Sequence, residues 1–370
     1  MKITDIKIQL IKRDLGNISG NDIARDGVSF LPTVAFEVPI FTITTDEGIE
    51  GTSCGRGGLV VAHALASLKP LLLGEDPLYV EKIWQDMWQR DRLYQFPPTA
   101  LGVVDVALWD IVGKAAGLPI YQLLGGYRDK VRAYASSMHH PNIEDYVKEA
   151  LDYKAKGYSA YKLHVSFGTP NEDLAVCRAV REAVGDDMIL MLDQAGIYNR
   201  EEALMVGRKL EELNFYWFEE PIPDTDLDGL TYLHNALDIP IASLEILPGN
   251  LYARAPYIAR GATSIVRSGT LWNGGITPLK KTTSLAEAFG MKCEIHFSSN
   301  PWMNAANLQV AGSVRNCEFY EQMVPEQMWD FGVKDTIEVD GEGYAHVPKK
   351  PGIGIETDWE YINDHTIQTL

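Results

Sequence analysis

Apolar and polar residues alternate through residues 2–12 and 33–45, the period-two pattern of strands with one buried face. Asp46-Glu47-Gly48 carries turn chemistry and predicts a hairpin into a third strand. Between the first two strands lies GNISGNDIARDG (16–27), whose Gly, Asn and Asp content predicts a loop. Helical patterning follows over roughly 60–73, 78–93 and 99–117, and LLGG at 123–126 closes this part. From about residue 131 the rhythm changes. The short apolar runs VRAYAS, AYKLHV, MILMLD, YWFEEP, IPIASLE, TSIVRS, MKCEIH and CEFYEQ alternate with amphipathic stretches. Eight strand candidates with helices between them predict an α/β chain built on a parallel barrel rather than a sandwich. A last hairpin over 335–348 is expected to return to the first domain.

Composition narrows the partners. Of 370 residues 46% are hydrophobic, enough for one large core with a smaller companion. The formal net charge of −18 argues against nucleic acid and anionic membranes as partners. It leaves room for a small anionic substrate, because a bound cation can reverse the local field. The four cysteines, Cys54, Cys177, Cys293 and Cys317, form no CxxC pair and read as reduced packing residues of a cytoplasmic protein. The N-terminal MKITDIKIQLIKRD lacks the apolar core of a signal peptide, and no stretch is apolar for long enough to form a membrane helix.

Active sites of β/α barrels lie at the C-terminal ends of the strands. The polar residues that end the apolar runs are Lys162 and His164, Asp193, Glu219 with Glu220, Glu245, and His296. The step from Asp193 to Glu219 is 26 residues, and so is the step from Glu219 to Glu245. About one β/α unit fits that spacing, so three successive strands offer carboxylates at one rim. Three converging carboxylates repel one another unless protonated or bridged, and all-oxygen ligation favours Mg²⁺. The alternative is three unrelated acids that cap helices. Lys162 and His164 are two apart on a strand and share a face, roughly 6–7 Å apart. They serve either chemistry or a salt bridge that plugs the barrel. His296 would lie across the barrel from Lys162, as proton donor or acceptor.

These residues together resemble the enolase superfamily, in particular its mandelate racemase/muconate lactonizing enzyme-like branch. The matching pieces are ALWDIVGKAAGLPIYQLLGG (107–126), the K-x-H of YKLH, MLD (191–193), WFEEP (217–221), Glu245, NGGITP (273–278) and His296. The resemblance implies a modified (β/α)7β TIM barrel over 127–329. Above it an α+β capping domain, 1–126, is completed by the tail 330–370. It implies Mg²⁺ on Asp193, Glu219 and Glu245, with His164 as base and Lys162 polarising the substrate carboxylate. Glu321 falls where relatives place a carboxylate that approaches substrate. One departure stands out: the branch usually has Gln-Pro-Asp before the GG-I-T segment, its Asp paired with the histidine of the next strand. Here the Asp position holds Gly269, so His296 is expected to lack its partner.

Without that dyad the expected reaction needs one strong base and one acid. It is removal of the proton next to a carboxylate and expulsion of a β-hydroxyl as water, the work of a sugar-acid (aldonate or aldarate) dehydratase, with His296 as acid. The alternatives are a racemase, epimerase or cycloisomerase, and a non-catalytic binding protein on the same fold. Specificity is expected from the capping loops, through Asn21, Arg25 and Asp26 in the first and Arg90, Arg92 and Tyr94 in the second. Trp302 is a candidate pocket wall, with core packing as the alternative. Relatives imply a homo-oligomer, dimer or octamer.

Overall fold

The computed structural model describes residues 1–14, 35–297 and 300–370. Three antiparallel strands open the chain, β1 (Ile3–Asp14), β2 (Ala35–Thr45) and β3 (Glu50–Cys54). The β2–β3 turn is the predicted one, with Gly48 at φ 75°. Ile6, Ile8 and Leu10 of β1 are buried while Lys7 is exposed, as the alternation requires. Helices α1 (Gly58–Leu72), α2 (Val80–Tyr94) and α3 (Pro98–Ala116) follow, each within a few residues of its predicted span, then the single turn α4 (Ile120–Leu123). α3 is buried along most of its length, because it lies between this sheet and the barrel.

The barrel strands are β4 (Lys130–Ser136), β5 (Ala160–His164), β6 (Ile189–Asp193), β7 (Trp217–Glu219), β8 (Ile241–Ser243), β9 (Ile265–Ser268), β10 (Lys292–Ile295) and β11 (Phe319–Met323). Every ladder among them is parallel, in the order β10-β9-β8-β7-β6-β5-β4-β11. Among the described residues the seam between β10 and β11 has no ladder: the Glu294 carboxylate accepts the backbone N–H of Glu318 and Phe319, and the Cys293 N–H donates to the Asn316 carbonyl. Seven helices alternate with these strands: α5 (Ile143–Ala155), α6 (Pro170–Val184), α7 (Arg200–Glu212), α8 (Leu227–Ala236), α9 (Asn250–Arg260), α10 (Ile276–Ala288) and α11 (Pro301–Ala311). The βα loops end in side-chain caps where the helices start, among them Asn142, Thr169, Asn199, Asp226 and Asn300. Pro170 and Pro301 sit at helix starts where a missing N–H costs nothing.

The C-terminal segment departs from expectation. Its strand β12 (Tyr344–His346) pairs antiparallel with β4 of the barrel, so the 335–348 stretch does not return to the first sheet. The return is made later, after α12 (Trp359–His365), by β13 (Thr366–Thr369), which adds to the free edge of β1. A polar, partly exposed edge strand such as TIQT has little apolar periodicity to announce it. Among the described residues no helix is long and apolar enough to cross a membrane.

The barrel interior explains where the chemistry sits. One apolar layer takes Tyr134, Ala160, Met191, Trp217, Ala242, Ile265 and Phe319, each from a different strand. Tyr134, Trp217 and Phe319 pack edge to face at 5.8–5.9 Å between ring centroids. Side chains on a strand repeat every two residues, so the next inward layer toward the C-terminal ends holds Ser136, Lys162, Asp193, Glu219, Arg267 and Glu321. An apolar plug thus carries a polar layer directly above it.

Candidate metal and acid–base site

The polar layer is a closed ring of alternating charge. Lys162, 1% exposed, places Nζ 2.7 Å from Glu321 Oε1, 3.0 Å from Asp193 Oδ2 and 3.1 Å from Glu219 Oε2. Opposite it Arg267, fully buried, places Nε 2.7 Å from Glu219 Oε1 and Nη2 3.1 Å from both Glu245 Oε2 and Glu321 Oε2. Glu219 and Glu321 are each bridged by both cations. His164 Nε2 lies 3.0 Å from Asp193 Oδ2, and His296 Nε2 lies 3.2 Å from Glu245 Oε1. The layer therefore runs His164–Asp193–Lys162 on one side and Arg267–Glu245–His296 on the other, joined through Glu219 and Glu321.

Backbone strain marks the rim. Ala195, Glu220 and Leu244 adopt φ of 47°, 38° and 84°, each within two residues of Asp193, Glu219 or Glu245. Leu244 matters most. The period of two from Ala242 would turn its side chain inward, and the left-handed step turns Glu245 to the rim instead. That step is held by Asp224 Oδ1, which accepts Leu244 N–H at 2.8 Å. Arg254 Nη2 and Asn273 Nδ2 donate to the Glu245 carbonyl at 3.2 and 3.3 Å.

Burial and charge compete at every group. Burial pushes the Glu219 carboxyl up to about 8 and Glu245 to about 7, outweighing the guanidinium of Arg267. Asp193 and Glu321 are also desolvated, yet Lys162 holds Asp193, and Lys162 with Arg267 holds Glu321, well below the usual carboxylate range. Burial would lower Lys162, but Glu219 and Glu321 keep it firmly protonated. Burial opposes the charged form of His164 too, but Asp193 wins and raises it. Its Nδ1 faces the Ser137 carbonyl at 2.8 Å, which fixes the ring's orientation. For His296 burial wins and pushes the imidazole down to about 3.

Could these residues hold a cation? With all four carboxylates ionised (Asp193, Glu219, Glu245, Glu321), as ligation of a cation requires, they face two permanent cations (Lys162, Arg267) and leave two negative charges over. Glu219 Oε1 is buried, and despite the short approach of Arg267 Nε the pair is too poorly aligned for a hydrogen bond. Among the described residues no three His, Cys, Asp or Glu side chains converge into a cation cage. At this rim Lys162 and Arg267 take up the oxygens. The all-oxygen donor set and the surplus of two charges fit a hard divalent ion bound by Asp193, Glu219 and Glu245.

Above the ring opens a cavity of about 250 Å³, reached by Lys162, His164, Asp193, Glu245, His296 and Glu321. The other expected residues fare differently. Glu321 reaches the cavity, but all four acceptor positions of its carboxylate are filled, by Lys162 and Ser136 Oγ on Oε1 and by Arg267 and Phe297 N–H on Oε2. It stands as a counter-ion rather than a hydrogen-bond partner for substrate. Trp302 does not wall the cavity. It is fully buried, donates Nε1–H to Thr357 Oγ1 at 3.0 Å and packs on Phe331, because it opens α11 against the C-terminal segment. Arg92 and Tyr94 lie on exposed turns at the end of α2, Arg92 bonded to Gln89 and Tyr94 stacked on Phe96, away from the cavity. Arg90 is exposed as well. Asn21, Arg25 and Asp26 lie outside the described residues. His296 was expected to lack a carboxylate. It has one, Glu245, because the loop that turns Glu245 to the rim brings it beside the imidazole.

Three residues of the site, Arg267 in the ring and His139 and Arg56 on the cavity wall, were not among the sequence candidates. Arg267 was hidden in the run IVRS, though counting two residues on from inward-facing Ile265 finds it. His139 sits three residues past the end of β4, its ring 6.3 Å from that of His164, and burial pushes it down to about 4. Arg56 lies in the loop before α1, its guanidinium 5.7 Å from the Trp272 ring. Neither of these two carries a signal separable from an ordinary loop residue.

A (β/α)7β barrel with three rim carboxylates, capped by an antiparallel sheet, defines a class of barrel enzyme, and comparison with known families agrees. Residues 145–361 match the enolase C-terminal domain-like family and residues 29–125 match the mandelate racemase/muconate lactonizing enzyme N-terminal domain, so the chain belongs to the enolase superfamily, in its mandelate racemase/muconate lactonizing enzyme branch. It is 34% identical to the arabinonate dehydratase of Saccharolobus solfataricus over 86% of this chain and 87% of that one. It is 30% identical to the N-succinyl-L-Arg/Lys racemase of Bacillus cereus over 100% of this chain and 98% of the racemase. A crystal structure of D-glucarate dehydratase from Agrobacterium tumefaciens complexed with magnesium superposes with a TM-score of 0.89 at 35% identity, covering 100% of both chains. Dehydratases and isomerases thus stand at similar distance.

Proposed function

We propose that the protein is a magnesium-dependent sugar-acid dehydratase. The observation that carries this reading is the pair of imidazoles, His164 and His296, seated on different rim carboxylates, Asp193 and Glu245. Elimination needs a base for the α-proton and an acid for the departing hydroxyl, and two imidazoles flanking one cavity supply both. Magnesium held by Asp193, Glu219 and Glu245 would supply Lewis-acid stabilisation of charge on the substrate carboxylate. Lys162 adds a fixed positive charge beside that carboxylate, and its three ion pairs keep it protonated. His164 takes the α-proton at Nε2, its ring held by the Ser137 carbonyl. Asp193 favours the charged imidazole, so it stabilises the imidazolium that His164 becomes on taking the proton. His296, on the Glu245 side, is kept neutral by burial, so it can pass a proton to the leaving hydroxyl only once negative charge on the bound substrate offsets that burial. The arabinonate and D-glucarate dehydratases among the relatives support the dehydratase reading.

An isomerase is the second reading, and one feature favours it. Met138, Ile246, Trp272, Met323 and Trp329 give much of the cavity wall an apolar character, sparse in partners for a chain of hydroxyls. The racemase among the relatives fits the same feature. A screen of aldonates and aldarates with Mg²⁺ separates the readings. Release of a 2-keto acid is expected. Epimerised or racemised acid without keto acid would replace the dehydratase reading by the second, and no turnover of any carboxylate would defeat both.

A further inference from the structure

Arg267 is the feature of the ring that the proposed chemistry leaves unused. It rises from β9 two residues above the apolar plug and is fully buried. It touches two of the three carboxylates assigned to the metal, Glu219 and Glu245, and also Glu321. Its Nη1 approaches the Ile295 carbonyl at 3.4 Å on the neighbouring strand. In the Gln-Pro-Asp pattern, counted back from Gly274, its place is that of the neutral Gln. A permanent cation therefore stands where a neutral donor would serve for hydrogen bonding alone. Burying a guanidinium is costly unless every contact is repaid, and here three carboxylates repay it. The same carboxylates are those a divalent ion needs. Each oxygen shared with a guanidinium is a weaker donor to metal, and a fixed positive charge a few ångströms away repels an incoming cation.

We propose that Arg267 is a built-in counter-ion of the metal rim, a positioning residue that holds Glu219, Glu245 and Glu321 in place before metal arrives and lowers the affinity of the site for divalent cations. The inference rests on the metal reading above. It accounts for the ring's stoichiometry in the ionised form that binds metal: with Lys162 alone against four carboxylates the surplus would be three negative charges, and with Arg267 it is two. It also accounts for the bridging geometry, since a planar fork can meet Glu219 through one edge and Glu245 and Glu321 through another, which an ammonium cannot do. The protein would then be stable without metal and would load it reversibly, rather than depend on it to fold.

Magnesium binding to the full-length protein, followed by isothermal titration calorimetry without substrate, tests this, with melting temperature as second readout. Arg267→Gln should bind Mg²⁺ about tenfold or more tightly than the parent, as one repelling charge at short range is removed. Its metal-free form should melt at lower temperature, and saturating Mg²⁺ should raise its melting point by more than it raises the parent's. A merely structural Arg267 would also lower the melting point, but would leave Mg²⁺ affinity equal or weaker. That result overturns the proposal. If Arg267→Gln does not fold, Arg267→Lys decides: it keeps the charge but cannot bridge three carboxylates, so affinity should rise about threefold, and an unchanged or lower affinity overturns the proposal. A parent protein that binds no Mg²⁺ at millimolar concentration defeats the metal reading and this inference with it. A parent that binds, with no gain in the variants, defeats this inference alone.

Discussion

The two flanks of the charge ring are alike in chemistry and unlike in construction. Each strings a histidine, a carboxylate and a cation together: His164, Asp193 and Lys162 on one side, His296, Glu245 and Arg267 on the other. On the first flank, Lys162 and His164 share strand β5, and His164 faces Asp193 directly across the β5–β6 ladder. Backbone hydrogen bonds set every spacing. On the second, Arg267 lies on β9 and His296 just past the end of β10, and Glu245 lies beyond the end of β8, on a left-handed turn held by Asp224, Arg254 and Asn273. The first flank is a product of register, which slips only if a whole strand moves. The second is a product of side-chain props, any of which can be lost singly. Under the proposed function, the fixed flank carries the harder step, abstraction of a carbon-bound proton, where small misplacements are costly. On the same reading the propped flank carries the easier transfer to a leaving hydroxyl.

The comparison breaks most severely if the rim itself is removed. Asp193→Asn takes a proposed metal ligand and the partner of His164 and Lys162 at once. Mg²⁺ affinity should fall by more than the roughly 10–100-fold that loss of an outer-shell partner costs, with activity falling in parallel. Unchanged affinity by calorimetry would remove the carboxylates from the metal assignment altogether.

Next in size is the division of labour between the histidines. His164→Asn should abolish exchange of the substrate α-proton with deuterated water, a loss of about 10²–10⁴-fold, with Mg²⁺ binding retained. His296→Asn should keep that exchange and lose release of water by a similar factor. The pair is informative because the readouts differ. If His296→Asn loses exchange and His164→Asn keeps it, the base lies on the propped flank and the roles are swapped.

A smaller effect tests how much room the second flank has. A Cβ at Gly269 would sit 3.0 Å from the His296 carbonyl oxygen and 3.4 Å from its Cβ. Restoring the branch's aspartate by Gly269→Asp should therefore crowd His296 and cost about 1–3 kcal/mol, read as a lower melting temperature. A variant as stable as the parent would show that the flank has slack, and that the glycine is not kept for want of space.

Much of this was legible in the order of residues. The alternation of apolar runs and helices foretells a barrel because period two and period 3.6 are local properties, set by neighbours in sequence. The rim acids and the K-x-H pair are legible for a related reason. Strand ends repeat at intervals of one β/α unit, so a residue at the end of an apolar run has a known place in the barrel. The tail strand TIQT and the cavity role of His139 carry no such period.

Three matters were settled only by folding. Arg267 is one charged residue within an apolar run, and its meaning depends on the carboxylates of three other strands. Glu245 owes its direction to one left-handed residue, Leu244, where a side chain would ordinarily forbid the turn. His296, deprived of an aspartate at 269, was expected to stand without a carboxylate, yet the Leu244 turn delivers Glu245 to it. Trp302 shows the converse, a large aromatic beside the catalytic segment in sequence that packs into the core because its helix turns it toward the tail. Local pattern specifies which strand a residue ends. Which groups then lie within 3 Å of one another depends on barrel closure, and that is a property of all eight strands together.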